Sequence, residues 1–427
     1  MSNNRRNFIK TSTLTGLGIA GSGNFLNAFG AIGNEQNNIS LNNLNIQQQK
    51  SMIGAYGPWA AAVNGKTLPS YSFRNSKWKN VKEWQKAARK ITMERMGIPP
   101  SNERPQVTVK KKYTYDNLDI EELSWQLPYG SPTDAILLKP ANTTGKLPAI
   151  LAFHDHGGNK YFGTRKITKT SDDQHPMMKL HQEHYYSNKA WANEVAKRGY
   201  VVLVADSFTF ASRRVLLKDV PDVIRENLTD ENPEEQANID AYNKWASDHE
   251  HIMAKSLFCT GMTWPGVFFS EDRTALDILS ARNDVDAARI GCCGLSGGGL
   301  RTDYMAGLDE RIRCAVSVGF MSTWNDFALN KCFTHTWMTY VPILPRELDF
   351  PEILGLRAPL PTLVLNDIDD QLYTIDEMRK ADTILQQVFE KAGAADRYKA
   401  SFYPGPHKFD ADMQKEAFDW FDRWLKA

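Results

Sequence analysis

The run Arg289-Ile290-Gly291-Cys292-Cys293-Gly294-Leu295-Ser296-Gly297-Gly298 sets an apolar strand, 289–293, directly against a glycine-rich break, and helical periodicity resumes after Gly298. In this setting a serine sits on a sharp strand-to-helix turn. Glycines must flank it, because any larger side chain would collide with the adjacent backbone. The helix start behind it favours developing negative charge. Ser296 is therefore the candidate nucleophile. Gly-x-Ser-x-Gly alone occurs often by chance, so the strand-to-helix setting carries more weight than the spacing.

Outward from this run, apolar strands alternate with helical patterns. Upstream lie strands at 107–109, 120–127 and 134–138, the last two joined by a Gly-Ser-Pro turn, which read as an antiparallel opening. Strands follow at 148–153, 200–206, 314–318, 361–366 and 398–403, with helices near 190–198, 273–282, 376–391 and 411–425. The expectation is an α/β fold: a mainly parallel sheet covered by helices on both faces, with antiparallel N-terminal strands and cap insertions. Ligands bind beyond the carboxyl ends of such strands. The loops leaving those ends are where partners for Ser296 are sought.

Two loops supply them. Asn366-Asp367-Ile368-Asp369-Asp370-Gln371-Leu372 follows the strand 361–366 and carries three competing carboxylates; Asp370 is favoured as the acid, with Asp369 as the alternative. Pro404-Gly405-Pro406-His407-Lys408-Phe409 follows the last strand, and its Pro and Gly residues suit one fixed presentation of the His407 imidazole. A hydroxyl is a poor nucleophile at neutral pH, so a histidine must take its proton and a carboxylate must hold that histidine's tautomer. The oxyanion then needs fixed donors. Gly297 N–H is the first expected donor, and the second is placed at Gly158 in the loop His154-Asp155-His156-Gly157-Gly158. The His154, Asp155 and His156 grouping lacks the spacing of a metal set. No metal and no cofactor is expected.

Lys+Arg 51 against Asp+Glu 50 leaves no net field to recruit nucleic acid or an anionic membrane. The five cysteines fit neither a disulfide framework nor a zinc cage. Cys292 and Cys293 read as small core residues pointing to opposite faces of a buried strand. Asn4-Arg5-Arg6-Asn7-Phe8-Ile9-Lys10 resembles a twin-arginine export signal, and the mild apolar stretch after it is too short and weak for a permanent membrane span. The expected organisation is a signal at 1–31, an Asn/Gln-rich tether at 32–50, a helical segment at 51–105 and a catalytic domain at 106–427, in a periplasmic or extracellular protein. Its oligomeric state is left open.

From about residue 107 to 425 the chain resembles the α/β-hydrolase family, and within it the dienelactone-hydrolase-like and acetylxylan-esterase-like bacterial branch. The resemblance rests on His154-Asp155-His156-Gly157-Gly158 with Lys160 and Gly163, on Val285-Asp286-Ala287-Ala288-Arg289-Ile290-Gly291, and on Gly294 to Gly298. Asp370 and Gly405-Pro406-His407-Lys408-Phe409 complete it. Dienelactone hydrolases use a cysteine nucleophile, so Ser296 makes the resemblance imply an esterase instead. Insertions at 207–251 and 321–346 contain Trp245, Trp324, Trp337 and His335, whose flat faces suit sugar rings or simply the core. Arg213 and Arg214 face a substrate carboxylate or solvent. The favoured function is a carboxylic-ester hydrolase acting on an acylated or otherwise esterified carbohydrate, a small-molecule or oligosaccharide substrate. The alternative is a carbohydrate-active lyase or dehydratase on the same fold.

Overall fold

Nine strands form one sheet in the order β1-β2-β3-β5-β4-β6-β7-β8-β9. They are β1 (Val107–Tyr115), β2 (Leu118–Trp125), β3 (Thr133–Pro140), β4 (Leu147–Phe153), β5 (Val201–Ala205), β6 (Val285–Leu295), β7 (Ile312–Val318), β8 (Thr362–Asp367) and β9 (Tyr398–Tyr403). The first three strands and β5 pair antiparallel, and β5, β4, β6, β7, β8 and β9 run parallel. This is the expected α/β architecture. The computed structural model describes residues 51–63, 67–100, 104–230 and 234–426. The signal expected at 1–31 and the tether at 32–50 lie outside the described residues.

The principal helices are α1 (Gly57–Val63), α2 (Val81–Met96), α3 (Pro176–Tyr186), α4 (Trp191–Lys197), α5 (Gln236–Asp248), α6 (Glu250–Cys259), α7 (Trp264–Ser280), α8 (Gly297–Leu308), α9 (Ile375–Lys391) and α10 (Ala411–Leu425). Helix α7 starts at Trp264, well before the expected 273. Its first turns, Trp264-Pro265-Gly266-Val267-Phe268-Phe269, are buried on every side and so show no amphipathic period. The Thr263 side chain caps it by accepting the Gly266 N–H. Strand β1 runs on to Tyr115 because it is a lysine-bearing edge strand with an exposed face, which an apolar-run criterion does not detect.

Both faces of the parallel strands are buried, and the period-two alternation divides them between two cores. Ala149, Leu151, Phe153 and Cys292 face one core with Phe268, Leu276, Leu300 and Leu385. Ile150, Ala152 and Cys293 face the other with Trp191, Val195, Phe418 and Phe421. The adjacent cysteines thus point to opposite sides, and both are free thiols. A smaller cluster, including Tyr161, Phe162, Ile239, Tyr242 and Trp245, lies under the first insertion. Strand order reverses at β4, between β5 and β6. Loops leaving β4 and β6 therefore diverge and open a crevice at the carboxyl ends of these strands.

Candidate active site

Strand β6 ends at Leu295 and α8 begins at Gly297, leaving Ser296 alone in the turn with φ 58° and ψ −120°. A non-glycine residue held at this backbone conformation is strained, and the surrounding bonds enforce it. Ser296 N–H donates to Val318 O across 2.9 Å, and Ser296 O accepts from Leu300 N–H at 2.9 Å. The flanking glycines meet a strict space limit. A Cβ on Gly294 would lie 2.6 Å from the Gly298 carbonyl carbon, and one on Gly298 would lie 2.5 Å from Phe153 O.

Asp370 and His407 meet beyond the ends of β8 and β9. His407 Nδ1–H donates to Asp370 Oδ2 at 2.6 Å, and Asp370 Oδ1 accepts from Leu372 N–H at 2.9 Å. Asp369 turns elsewhere and accepts Gly405 N–H at 2.9 Å. The histidine loop is pinned directly after the ring: Lys408 N–H donates to Asp367 Oδ2 at 3.0 Å and Phe409 N–H to Tyr185 O at 2.8 Å. His407 Nε2 is buried and has no hydrogen-bond partner among the described residues. The ring packs on Gly319, where a Cβ would come 2.9 Å from His407 Cε1. Gly319 directly follows Val318, the residue that holds the Ser296 amide, so the imidazole lies next to the serine turn.

Burial alone pulls the His407 pKa down, but the Asp370 carboxylate and its hydrogen bond, with Asp367 and Asp155, raise it above the ordinary imidazole value. Asp367 is a second buried carboxyl in this corner. Burial, reinforced by the Asp370 charge, pushes it up to about 7. Asp367, Asp370 and His407 offer ligand-type atoms within 4.8 Å of one another, the group of this kind found among the described residues. His407 Nδ1 in that group is already engaged with Asp370.

The loop after β4 is arranged differently from expectation. Gly158 N–H donates to His156 Nδ1 at 3.1 Å, so this amide is turned into its own loop and is not free to meet an oxyanion. The atom that approaches the serine turn is the backbone nitrogen of His156, 3.0 Å from where a Cβ on Gly297 would stand. Lys166, fully buried, fixes the loop by donating to the carbonyls of Asp155 and His156, both at 2.8 Å. Burial brings the Lys166 pKa down to about 8. The Asp155 carboxylate accepts from His181 at 3.1 Å and from the Tyr186 hydroxyl. Burial would raise the pKa of Asp155, but His181, Lys166 and Tyr186 hold it well below the usual carboxylate range.

With this geometry the chain can be set beside known proteins. No family model matches it. It is 28% identical over 309 residues to the proposed hydrolase YtaP of Bacillus subtilis (strain 168), covering 72% of this chain and 88% of that one. Among solved structures, a proposed acetyl xylan esterase from Bacteroides fragilis NCTC 9343 superposes with a TM-score of 0.58 at 19% identity, covering 84% of each chain. A glucuronoyl esterase from Solibacter usitatus gives a TM-score of 0.57 at 14% identity, over 84% of this chain and 98% of the other. The chain has the α/β-hydrolase fold.

Within the hydrolase fold the insertions sort the remaining candidates. Trp245 and Trp324 are core residues, whereas Trp337 is 39% exposed. His335 is enclosed by Phe320, Phe327 and Tyr373, and burial takes its pKa down to about 4. Arg213 faces neither substrate nor solvent: it is buried in an ion pair with Glu271 at 2.6 Å. Arg214 stacks on Tyr161 with its guanidinium carbon 4.8 Å from the ring centroid. Sequence reading missed Asp367 as a neighbour of the His407 pair, Gly319 beneath the ring, and Glu250. Glu250 accepts from His156 Nε2 at 3.0 Å and from the Lys160 ammonium. No local pattern marks it, for it is one acid in the polar run Ser247-Asp248-His249-Glu250-His251.

Proposed function

We propose that this protein is a serine carboxylic-ester hydrolase of esterified carbohydrates, with Ser296 as nucleophile, His407 as base and Asp370 as the acid that orients it. The observation carrying this reading is the His407–Asp370 hydrogen bond of 2.6 Å, which leaves His407 Nε2 with a free lone pair beside the strained Ser296 turn. His407 Nε2 takes the Ser296 Oγ proton as that oxygen attacks the ester carbonyl, and Asp370 stabilises the imidazolium. Gly297 N–H and His156 N–H receive the oxyanion. The alcohol leaves with the proton from His407, and water activated by the same imidazole releases the acid. Trp337 supports the substrate class: it is exposed and its amide shares a carboxylate with His156. The esterase names of the structural neighbours point the same way.

A fluorophosphonate should label Ser296 stoichiometrically, and peptide mapping locates the adduct. Incubation with acetylated, feruloylated and uronate-ester oligosaccharides should give products whose summed mass exceeds the substrate by one water; loss of water would identify a dehydratase instead. The proposal includes export by the twin-arginine route, resting on Arg5-Arg6 ahead of a Gly-rich apolar run. No described helix is long and apolar enough to cross a membrane. Replacing both arginines with lysine should leave the precursor in the cytoplasm, and an unchanged periplasmic yield would reject that route.

A further inference from the structure

Glu250 stands at the start of α6, in the first insertion, yet its two carboxylate oxygens reach two other parts of the chain. Oε1 accepts from His156 Nε2 at 3.0 Å and from Lys160 Nζ; Oε2 accepts from the Trp337 backbone N–H at 3.2 Å. Glu250 and Lys160 are buried, and His156 is half-buried beside them. Burial would raise the Glu250 pKa, but Lys160 and His156 hold it well below the ordinary value, so it is an anion at any working pH.

The tautomer of His156 follows from its partners. Nδ1 accepts Gly158 N–H at 3.1 Å, so the ring proton sits on Nε2, directed at Glu250; Lys160 Nζ, also 3.1 Å from Nε2, then donates to Glu250 and not to the ring. The carbonyls on either side of His156, those of Asp155 and of His156 itself, are both held by Lys166 at 2.8 Å. The peptide bearing the His156 N–H is thus held through its own carbonyl, that of Asp155, which accepts from Lys166 at 2.8 Å, and through the His156 ring. Without Glu250 the ring keeps only its bond from Gly158 N–H, within the same loop.

We propose that Glu250 is a positioning residue that sets the His156 N–H toward the oxyanion and, with its second oxygen, holds the Trp337 segment against the same loop. The role is independent of ester identity, and it rests on the assignment of His156 N–H as a donor made above. Glutamine cannot replace this carboxylate. His156 Nε2–H and Trp337 N–H are both donors, so a side-chain amide must turn its own NH2 toward one of them, and Lys160 is left without its counter-charge.

The test is steady-state kinetics of Glu250→Gln on 4-nitrophenyl acetate. An oxyanion donor acts in the transition state, so kcat should fall on the order of 10²-fold while KM stays within about twofold. His156→Leu keeps the Glu250–Lys160 pair and removes the ring with its bonds to Glu250 and Gly158, so it should lose a similar factor even where Glu250→Gln does not fold. The double variant should lose no more than either single change. Wild-type kcat in His156→Leu, or fully multiplicative losses in the double variant, would overturn the positioning role. Failure of fluorophosphonate to label Ser296 in the wild type would instead overturn the hydrolase assignment beneath it.

Discussion

Asp369 and Asp370 are neighbours in sequence that point to different partners: Asp370 Oδ2 takes the His407 Nδ1–H at 2.6 Å, and Asp369 Oδ2 takes the Gly405 N–H at 2.9 Å. The Asp369 N–H also donates to Gly405 O at 3.1 Å, so this residue closes the gap between the β8 and β9 loops while the next one faces the imidazole. One carboxylate shapes the histidine loop, and the other orients the ring that loop carries.

This division predicts unequal variants. Asp370→Asn preserves the acceptor for Leu372 N–H but turns an NH2 toward His407 Nδ1, which reverses the hydrogen bond and favours the wrong tautomer. The loss of kcat should be on the order of 10⁴-fold, as for the equivalent change in a serine protease. Asp369→Asn keeps an acceptor for Gly405 N–H and should lose less than about tenfold. Paired kcat measurements well above the histidine pKa decide it; a reversed ranking of the two variants contradicts the division of labour.

Ser296→Ala should abolish turnover, with a loss in kcat of at least about 10⁴-fold, and should leave the melting temperature nearly unchanged. Alanine and serine incur similar strain at this φ of 58°, and Ser296 donates no side-chain hydrogen bond to the fold among the described residues. Retention of a tenth of the activity would remove the serine from its role.

The acid side of the kcat/KM profile should have its midpoint above 6.5, the ordinary imidazole value, because Asp370 and Asp367 raise His407 against burial. As the proposed base, His407 works only when neutral, so activity should fall as pH drops through that raised value. Asp367→Asn removes one of the raising charges and should move the midpoint to lower pH. The same substitution has a stability signature. The folded pKa of Asp367 lies up near 7, so wild-type stability from this group is present in acid and is lost as pH rises through that value. Urea denaturation at pH 5 and pH 8 should show Asp367→Asn gaining on the wild type at the higher pH.

Gly319→Ala combines two penalties. Gly319 has φ 57°, where an L side chain costs about 1–2 kcal/mol. Its Cβ would also press on His407 Cε1 at 2.9 Å and on Leu295 Cδ1 at 3.0 Å. Stability should drop by roughly that strain and kcat by on the order of 10²-fold through displacement of the ring. An intact kcat with a lowered melting temperature would mean that the imidazole does not depend on this contact.

The sequence by itself determined the alternation of strands and helices, the strained strand-to-helix setting of Ser296, and the loops that carry Asp370 and His407. Each of these is written in short-range terms: apolar period, glycine at a crowded turn, proline and glycine around a presented side chain. Tertiary structure decided which carboxylate meets His407, 37 residues away in the chain, and which backbone nitrogen of the 154–158 loop lies against Gly297. It alone brought Glu250 to His156 across 94 residues, and Asp367 and Gly319 to the imidazole. The physical reason is that a strand's local pattern encodes burial and period but not its place in the sheet. The order β5-β4-β6, which sets these loops side by side, arises only from long-range packing.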